Sequence, residues 1–206
     1  GNGCHSHLSI WNLKGSKNLF HSADDSRSLG LSNLAYQFLG GIMHSADSLA
    51  AIFNPTINSY KRINAPRTLS GASWSPSSIT YSGNNRTHMI RVPDDGRFEL
   101  RLMDGAANPY LMQAGIIACG LEGIETNRDP GEPLDINMYE LDDDLKDYKL
   151  LPKNLLDALR LFQDNEILRS RLGEDLVDSY TKLKYSQWDS YTSHLTKWEM
   201  DNTLDC

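Results

Sequence analysis

The sequence predicts an α+β fold, with strands that carry polar faces, helices behind them and a helical C-terminal tail. Two stretches, residues 3–11 and 97–103, alternate polar and apolar side chains with the period of a strand. Two others, residues 32–53 and 109–121, repeat apolar side chains at helical spacing. Beyond Pro152 only helical stripes remain.

The first strand puts His5, His7, Ser9 and Trp11 on one side, with Cys4, Leu8 and Ile10 mostly on the other. Residues 14–30, with Gly15, Asp24, Asp25 and Gly30, read as loop. Ser32 is placed to cap one helix that runs to Phe53 and stops at Asn54-Pro55. Gly40-Gly41 inside it costs about 1 kcal/mol per glycine relative to Ala, so a close neighbour is expected there. Residues 56–85, rich in Ser, Asn, Gly and Pro, read as a long functional loop. Two strands follow at 86–92 and 97–103, joined by the turn Pro93-Asp94-Asp95-Gly96. Asn108-Pro109 opens a helix as N-cap and first helical residue. Residues 126–152 read as extended over the surface. The tail then shows one stripe at Leu155, Leu156, Leu159 and Phe162 and a second from Leu176 to Leu195.

The chain has 206 residues and a net charge of −7, which argues against a general binder of nucleic acid or anionic membrane. No apolar run approaches the ~20 residues of a membrane-spanning helix. Three cysteines without a CxxC exclude a disulfide scaffold and a thiolate zinc module, and with no signal-like leader a cytoplasmic location is expected. A start at Gly1, directly inside a patterned strand, reads as a fragment or a processed chain. Charge is uneven: Ser48 through Pro93 contains no Asp or Glu but holds Lys61, Arg62, Arg67, Arg86 and Arg91. Such a segment is either a polar loop of unusual composition or an anion site from which carboxylates are kept away.

Arg97, Glu99 and Arg101 share one strand face, opposite Phe98, Leu100 and Leu102. The alternation alone fits a solvated face of ion pairs as well as a polar cavity in which Glu99 meets a metal and the arginines meet an oxyanion. His5-Ser6-His7 places two imidazoles on one face, a recurrent metal-ligand spacing that two surface histidines would share. One imidazole with one carboxylate suits Mg²⁺ or Mn²⁺ better than structural zinc. Arg62, Arg86, Arg91, Arg97 and Arg101 offer forks for carboxylate and phosphate. Neither a Walker A loop nor GxGxxG is present, so an ATP site would have to be built on strands.

The strings GNGCHSHLS (1–9), NPTINSYKR (54–62), NNRTHMIRVP (84–93), RFELRLMDGAANPYL (97–111) and DPGEPLDINMYEL (129–141) occur in one order over nearly the whole chain. Together they resemble the C-terminal part of the catalytic domain of glutamine synthetases. The resemblance implies that residues 1–206 are the later portion of that domain, with antiparallel strands forming part of an active-site barrel. It also implies that a β-grasp domain and the first part of the catalytic domain lie upstream. The implied activity is ATP-dependent amidation of the γ-carboxylate of L-glutamate through γ-glutamyl phosphate. By resemblance His5 and Glu99 ligate a divalent metal, Mg²⁺ or Mn²⁺. Gly1 and Arg62 bind glutamate, Arg86 and Arg101 face its γ-carboxyl group and the phosphoryl group in transfer, Arg91 and Arg97 contact ATP phosphates, and His7 and Ser9 lie on the nucleotide side. Arg86 and Arg91 are five residues apart, so a bend between them is required if both serve one site.

The piece alone is expected to be inactive, since the family draws most metal-binding glutamates from upstream, and it would leave strand edges exposed. The whole protein is expected to be a homo-oligomer of two stacked rings, with no nucleic-acid or membrane partner. No acid follows Arg62 before Asp94, where the common bacterial type has a flap glutamate. The stretch NAPRTLSGASWSPSSITYSGNNRTHM and the ending TLDC resemble the type III-like branch, which includes enzymes similar to γ-glutamylmethylamide synthetase. The amine acceptor is therefore open between ammonia and methylamine or another small amine. A relative that binds glutamate or nucleotide without catalysis is the alternative from another class. Tyr139 matches the tyrosine that some bacterial members adenylylate, and is equally readable as an ordinary surface tyrosine.

Overall fold

A computed structural model describes residues 2–65, 75–140 and 148–203. Its sheet has the strands β1 (Ser6–Leu8), β2 (Tyr81–Ser82), β3 (Ile90–Asp94) and β4 (Arg97–Leu100) in the order β1-β4-β3-β2. β4 pairs antiparallel with both β1 and β3, with His7 opposite Glu99 and Arg91 opposite Glu99. β2 runs parallel to β3 beside these antiparallel pairs. The strands are also shorter than their patterns, because the alternation continues into isolated bridges such as Gly3 with Asp104 and Trp11 with Asn18. The turn before β4 uses Gly96 at φ +70°, a conformation that glycine adopts without a Cβ penalty.

The helix expected over 32–53 is two helices, α1 (Asn33–His44) and α2 (Ala46–Phe53). Ser32 caps α1 by accepting from the Ala35 N–H. At Ser45 the chain leaves helical geometry, so that α1 packs on α4 (Pro109–Glu125) while α2 packs on α5 (Leu155–Gln163). The close neighbour expected at Gly40-Gly41 is α4. A Cβ on Gly41 would stand 2.0 Å from the Cys119 carbonyl oxygen, and one on Gly123 would stand 2.2 Å from the Gln37 carbonyl oxygen. Only glycines let the two backbones come this near.

The stretch from 56 is not simply loop, because α3 (Ile57–Ile63) begins there. Thr56 and Ser59 form a capping box, a start signal that the high Ser and Asn content obscures. Asn108 caps α4 by accepting from the Tyr110 and Leu111 N–H groups, with Pro109 in the first helical position. The segment around 131–138 runs beside β2, where the Leu134 N–H donates to the Tyr81 carbonyl. After α5 come α6 (Glu166–Leu172), α7 (Glu174–Thr192) and α8 (Lys197–Thr203), as the tail predicts.

The apolar face of the sheet packs on α1. Phe98 stacks on Phe20 with centroids 5.6 Å apart and lies 6.4 Å from Phe38. Phe20, Phe98 and Leu100 are wholly buried, each contributing roughly 2–3 kcal/mol of apolar burial. That burial leaves the opposite face of β4 and β1 turned outward as a unit. Among the described residues no helix is long and apolar enough to cross a membrane.

Candidate active site

Strand period decides who meets on the outward face. With Phe98 and Leu100 inward, Arg97, Glu99 and Arg101 must point the other way. On β1 and its flanks the same parity turns out His5, His7, Ser9 and Trp11, all exposed, while Cys4, Leu8 and Ile10 are partly buried. The β1–β4 and β3–β4 registers then place His7, Glu99 and Arg91 in one row across the sheet.

Glu99 is the centre of this face and only 3% exposed. Its Oε2 accepts from Arg91 Nη1 at 3.0 Å, and its Oε1 accepts from Arg101 Nη1 at 3.0 Å. The same Oε1 lies 3.0 Å from His5 Nδ1 and 3.9 Å from His7 Nε2. Burial alone would raise the Glu99 pKa. The Arg91 hydrogen bond and the Arg101 guanidinium more than offset that and hold it below the ordinary carboxylate range. Burial, and next the Arg101 charge, hold His5 below its ordinary value, so its imidazole is neutral near pH 7. Arg97 binds Asp94 and points Nη1 at His7 Nδ1, 2.9 Å away. That contact makes Nδ1 the acceptor and puts the His7 proton on Nε2.

Arg91 is aimed by a residue that the spacing did not single out. Asn84 Oδ1 accepts from its Nε at 2.9 Å and its Nη2 at 2.6 Å. Arg86 lies in a turn before β3, which supplies the bend expected between Arg86 and Arg91. Both line a cavity of about 620 Å³ with Asn84 and Asp135. Ser9 Oγ accepts from Trp11 Nε1 at 3.1 Å.

Arg62 makes no bond to Glu99 among the described residues, although its charge reaches His5. It is 9% exposed on α3 and donates to Ser75 Oγ at 2.7 Å, Asn54 Oδ1 at 2.7 Å and the Leu102 carbonyl at 2.9 Å. It borders a second cavity with Asn2, Lys61 and Asp104. Among the described residues the buried Nε atoms of Arg62 and Arg101 make no hydrogen bond, and that of Arg62 lies 3.7 Å from Asp104 Oδ2. Asn54 and Asp104, which hold Arg62, carry no signal in the sequence beyond their place in the quoted strings. Gly1 and Arg67 lie outside the described residues.

No group of three or more His, Cys, Asp or Glu side chains able to hold a metal ion occurs among the described residues. His5 and Glu99 bring only one imidazole and one carboxylate together. An imidazole and a carboxylate suit a hard divalent ion that takes its other positions from phosphate and water.

The sequence matches the glutamine synthetase catalytic domain over residues 1–203. The chain belongs to the glutamine synthetase family. It is 58% identical over 205 residues to a glutamine synthetase of Rhizobium leguminosarum bv. phaseoli, covering all of this chain and 47% of that protein. It is 44% identical over 208 residues to a glutamate–methylamine ligase of Methyloversatilis universalis, covering all of this chain and 46% of that protein. A solved structure of a GmaS/ADP complex superposes with a TM-score of 0.91 at 56% identity, over 100% of this chain and 46% of that one. The chain spans about half the length of the curated relatives it matches.

Proposed function

We propose that this chain serves an ATP-dependent ligase that joins an amine to the γ-carboxylate of L-glutamate. The observation that carries the reading is the convergence of His5, Arg91 and Arg101 on the buried carboxylate of Glu99. In the first step a γ-carboxylate oxygen attacks the terminal phosphorus of ATP and ADP leaves. In the second, the amine nitrogen attacks the acyl phosphate and inorganic phosphate leaves. The first step brings two anions together, so fixed cations aimed at the developing charge lower its barrier.

Arg101, which already holds Glu99, and the exposed Arg86 would stand as cations beside that charge. Arg91, tied to Asn84 and Glu99, and Arg97, tied to Asp94 and His7, present fixed forks to the ATP phosphates. Ser9 and His7 share the exposed face on the nucleotide side. Arg62 takes the glutamate α-carboxylate with a donor that its three protein bonds leave over, beside Asn2 and Gly3. His5 and Glu99 would hold a divalent ion, Mg²⁺ or Mn²⁺, which neutralises phosphate charge when bound. The protein works as a homo-oligomer in the cytoplasm. Exposed apolar residues on the tail, Leu183, Leu195, Trp198 and Met200 among them, suit burial against further copies.

The acceptor is ammonia or methylamine, and the names of the relatives support both. Full-length protein given ATP, glutamate and Mg²⁺ should release ADP only when an amine is added. Initial rates with ammonium and with methylamine, measured side by side, decide between them. No amine-dependent ADP with either, or full activity in Glu99→Gln, would remove the reading.

A further inference from the structure

Arg86 makes no hydrogen bond or ion pair among the described residues, and its side chain is exposed. What the fold holds is its backbone, which one distant segment grips on both sides. Before it, Asn85 Nδ2 donates to the Ile136 carbonyl at 2.8 Å. Asn85 Oδ1 accepts from the N–H and the hydroxyl of Thr87 at 2.9 and 2.7 Å, closing a turn around Arg86. After it, the Met138 N–H donates to Thr87 Oγ1 at 3.0 Å.

His88 completes the grip. It is fully buried, with Nδ1 3.0 Å from Thr80 Oγ1 and Nε2 2.9 Å from the Ile136 carbonyl oxygen. A carbonyl only accepts, so Nε2 carries the proton and Nδ1 accepts from the Thr80 hydroxyl. Every polar atom of this network has a complementary partner, which makes it rigid. The segment is itself moored to β2, where Tyr81 Oη donates to the Gly131 carbonyl at 2.6 Å.

We infer that residues 131–138 form a strap that aims Arg86, and that His88 is the positioning residue through which the strap acts. His88 touches no substrate. Its effect passes through the placement of the backbone from which the Arg86 side chain starts, and this rests on the ligase reading above.

The test uses the full-length protein. His88→Leu removes both ring bonds at similar volume, and His88→Gln keeps a donor where Nε2 stands. A misaimed group costs roughly tenfold or more in rate, so His88→Leu should lower kcat about tenfold and leave the KM for ATP within about twofold. His88→Gln should recover most of that loss. In an Arg86→Ala background His88→Leu should change kcat no further, because the effect has no other route. A full additional loss there overturns the proposal.

Backbone hydrogen exchange over residues 84–89 gives a readout independent of turnover. It should quicken in His88→Leu and stay slow in His88→Gln, and unchanged exchange in His88→Leu also overturns the strap. If the wild-type protein makes no amine-dependent ADP, the ligase reading falls and the exchange result alone decides the strap. Should His88→Leu not fold, Thr87→Val, which takes away the acceptor of the Met138 N–H, is judged by the same criteria.

Discussion

Glu99 Oε1 lies 3.0 Å from His5 Nδ1, although Glu99 is on β4 and His5 stands just before β1, far away in the chain. The β1–β4 register sets His7 directly across from Glu99, so His5 meets it on the diagonal. Arg91 closes the row from β3. A carboxylate held this way stays ionised, and the imidazole beside it stays neutral, which is the pair of states a metal ligand set requires.

Glu99→Gln should therefore act twice. It leaves the Arg91 and Arg101 guanidinium groups without their carboxylate in a buried setting, costing about 3 kcal/mol of stability. It should also lower kcat/KM by about 10²-fold and weaken the dependence on divalent metal. Denaturant unfolding and a Mg²⁺ titration of the rate read the two effects separately. A variant as stable as wild type would mean that the cluster is not the anchor described.

Arg62→Lys keeps the charge but not the fork. One ammonium cannot reach Asn54, Ser75 and the Leu102 carbonyl together, so about 2 kcal/mol should be lost and the KM for glutamate should rise. Urea midpoints and glutamate saturation curves check this. An unchanged KM would take Arg62 away from the substrate.

Gly41→Ala tests the α1–α4 crossing. The added methyl would meet the Cys119 carbonyl oxygen and the Gly123 backbone, neither of which can turn aside. Overpacking of this kind costs about 3 kcal/mol and should show as a lowered Tm. A Tm at or above that of wild type would show that the helices can part without cost.

Acid should unfold the chain earlier than its carboxylates alone require. Burial holds His88 and His44 below the ordinary value of 6.5, and for His44 the nearby charges of Arg128 and Lys149 add to this. A histidine lowered in the folded state binds fewer protons folded than unfolded. Its contribution is complete above 6.5 and is lost as pH falls through that value toward the folded pKa. Glu99 and Asp25 are also lowered, and their contributions go only at more acid pH, below the ordinary 4.5 and 3.8. Urea midpoints between pH 7.5 and 5.5 should fall, and fall less in His88→Gln. Equal slopes in the two proteins would count against His88.

Local rules made much of this molecule legible. Period-2 alternation assigned the faces of β1 and β4, because parity along a strand needs no knowledge of its partner. Ser32, Asn108 and Pro109 announced helix starts, and Gly40-Gly41 announced a close neighbour. The quoted strings were enough to recognise the family. Tertiary structure alone decided the rest. Ser45 divides one apolar stripe into α1 and α2, because each half packs on a different helix. The two-residue β2 exists only by pairing with β3. The grip of Asn84 on Arg91 comes from the turn just before β3, and that of Ile136 on Asn85 and His88 from a distant loop, and such side-chain hydrogen bonds leave no period in the chain. The residue types that do the chemistry were thus readable one strand at a time, whereas their directions come from partners that only the folded chain supplies.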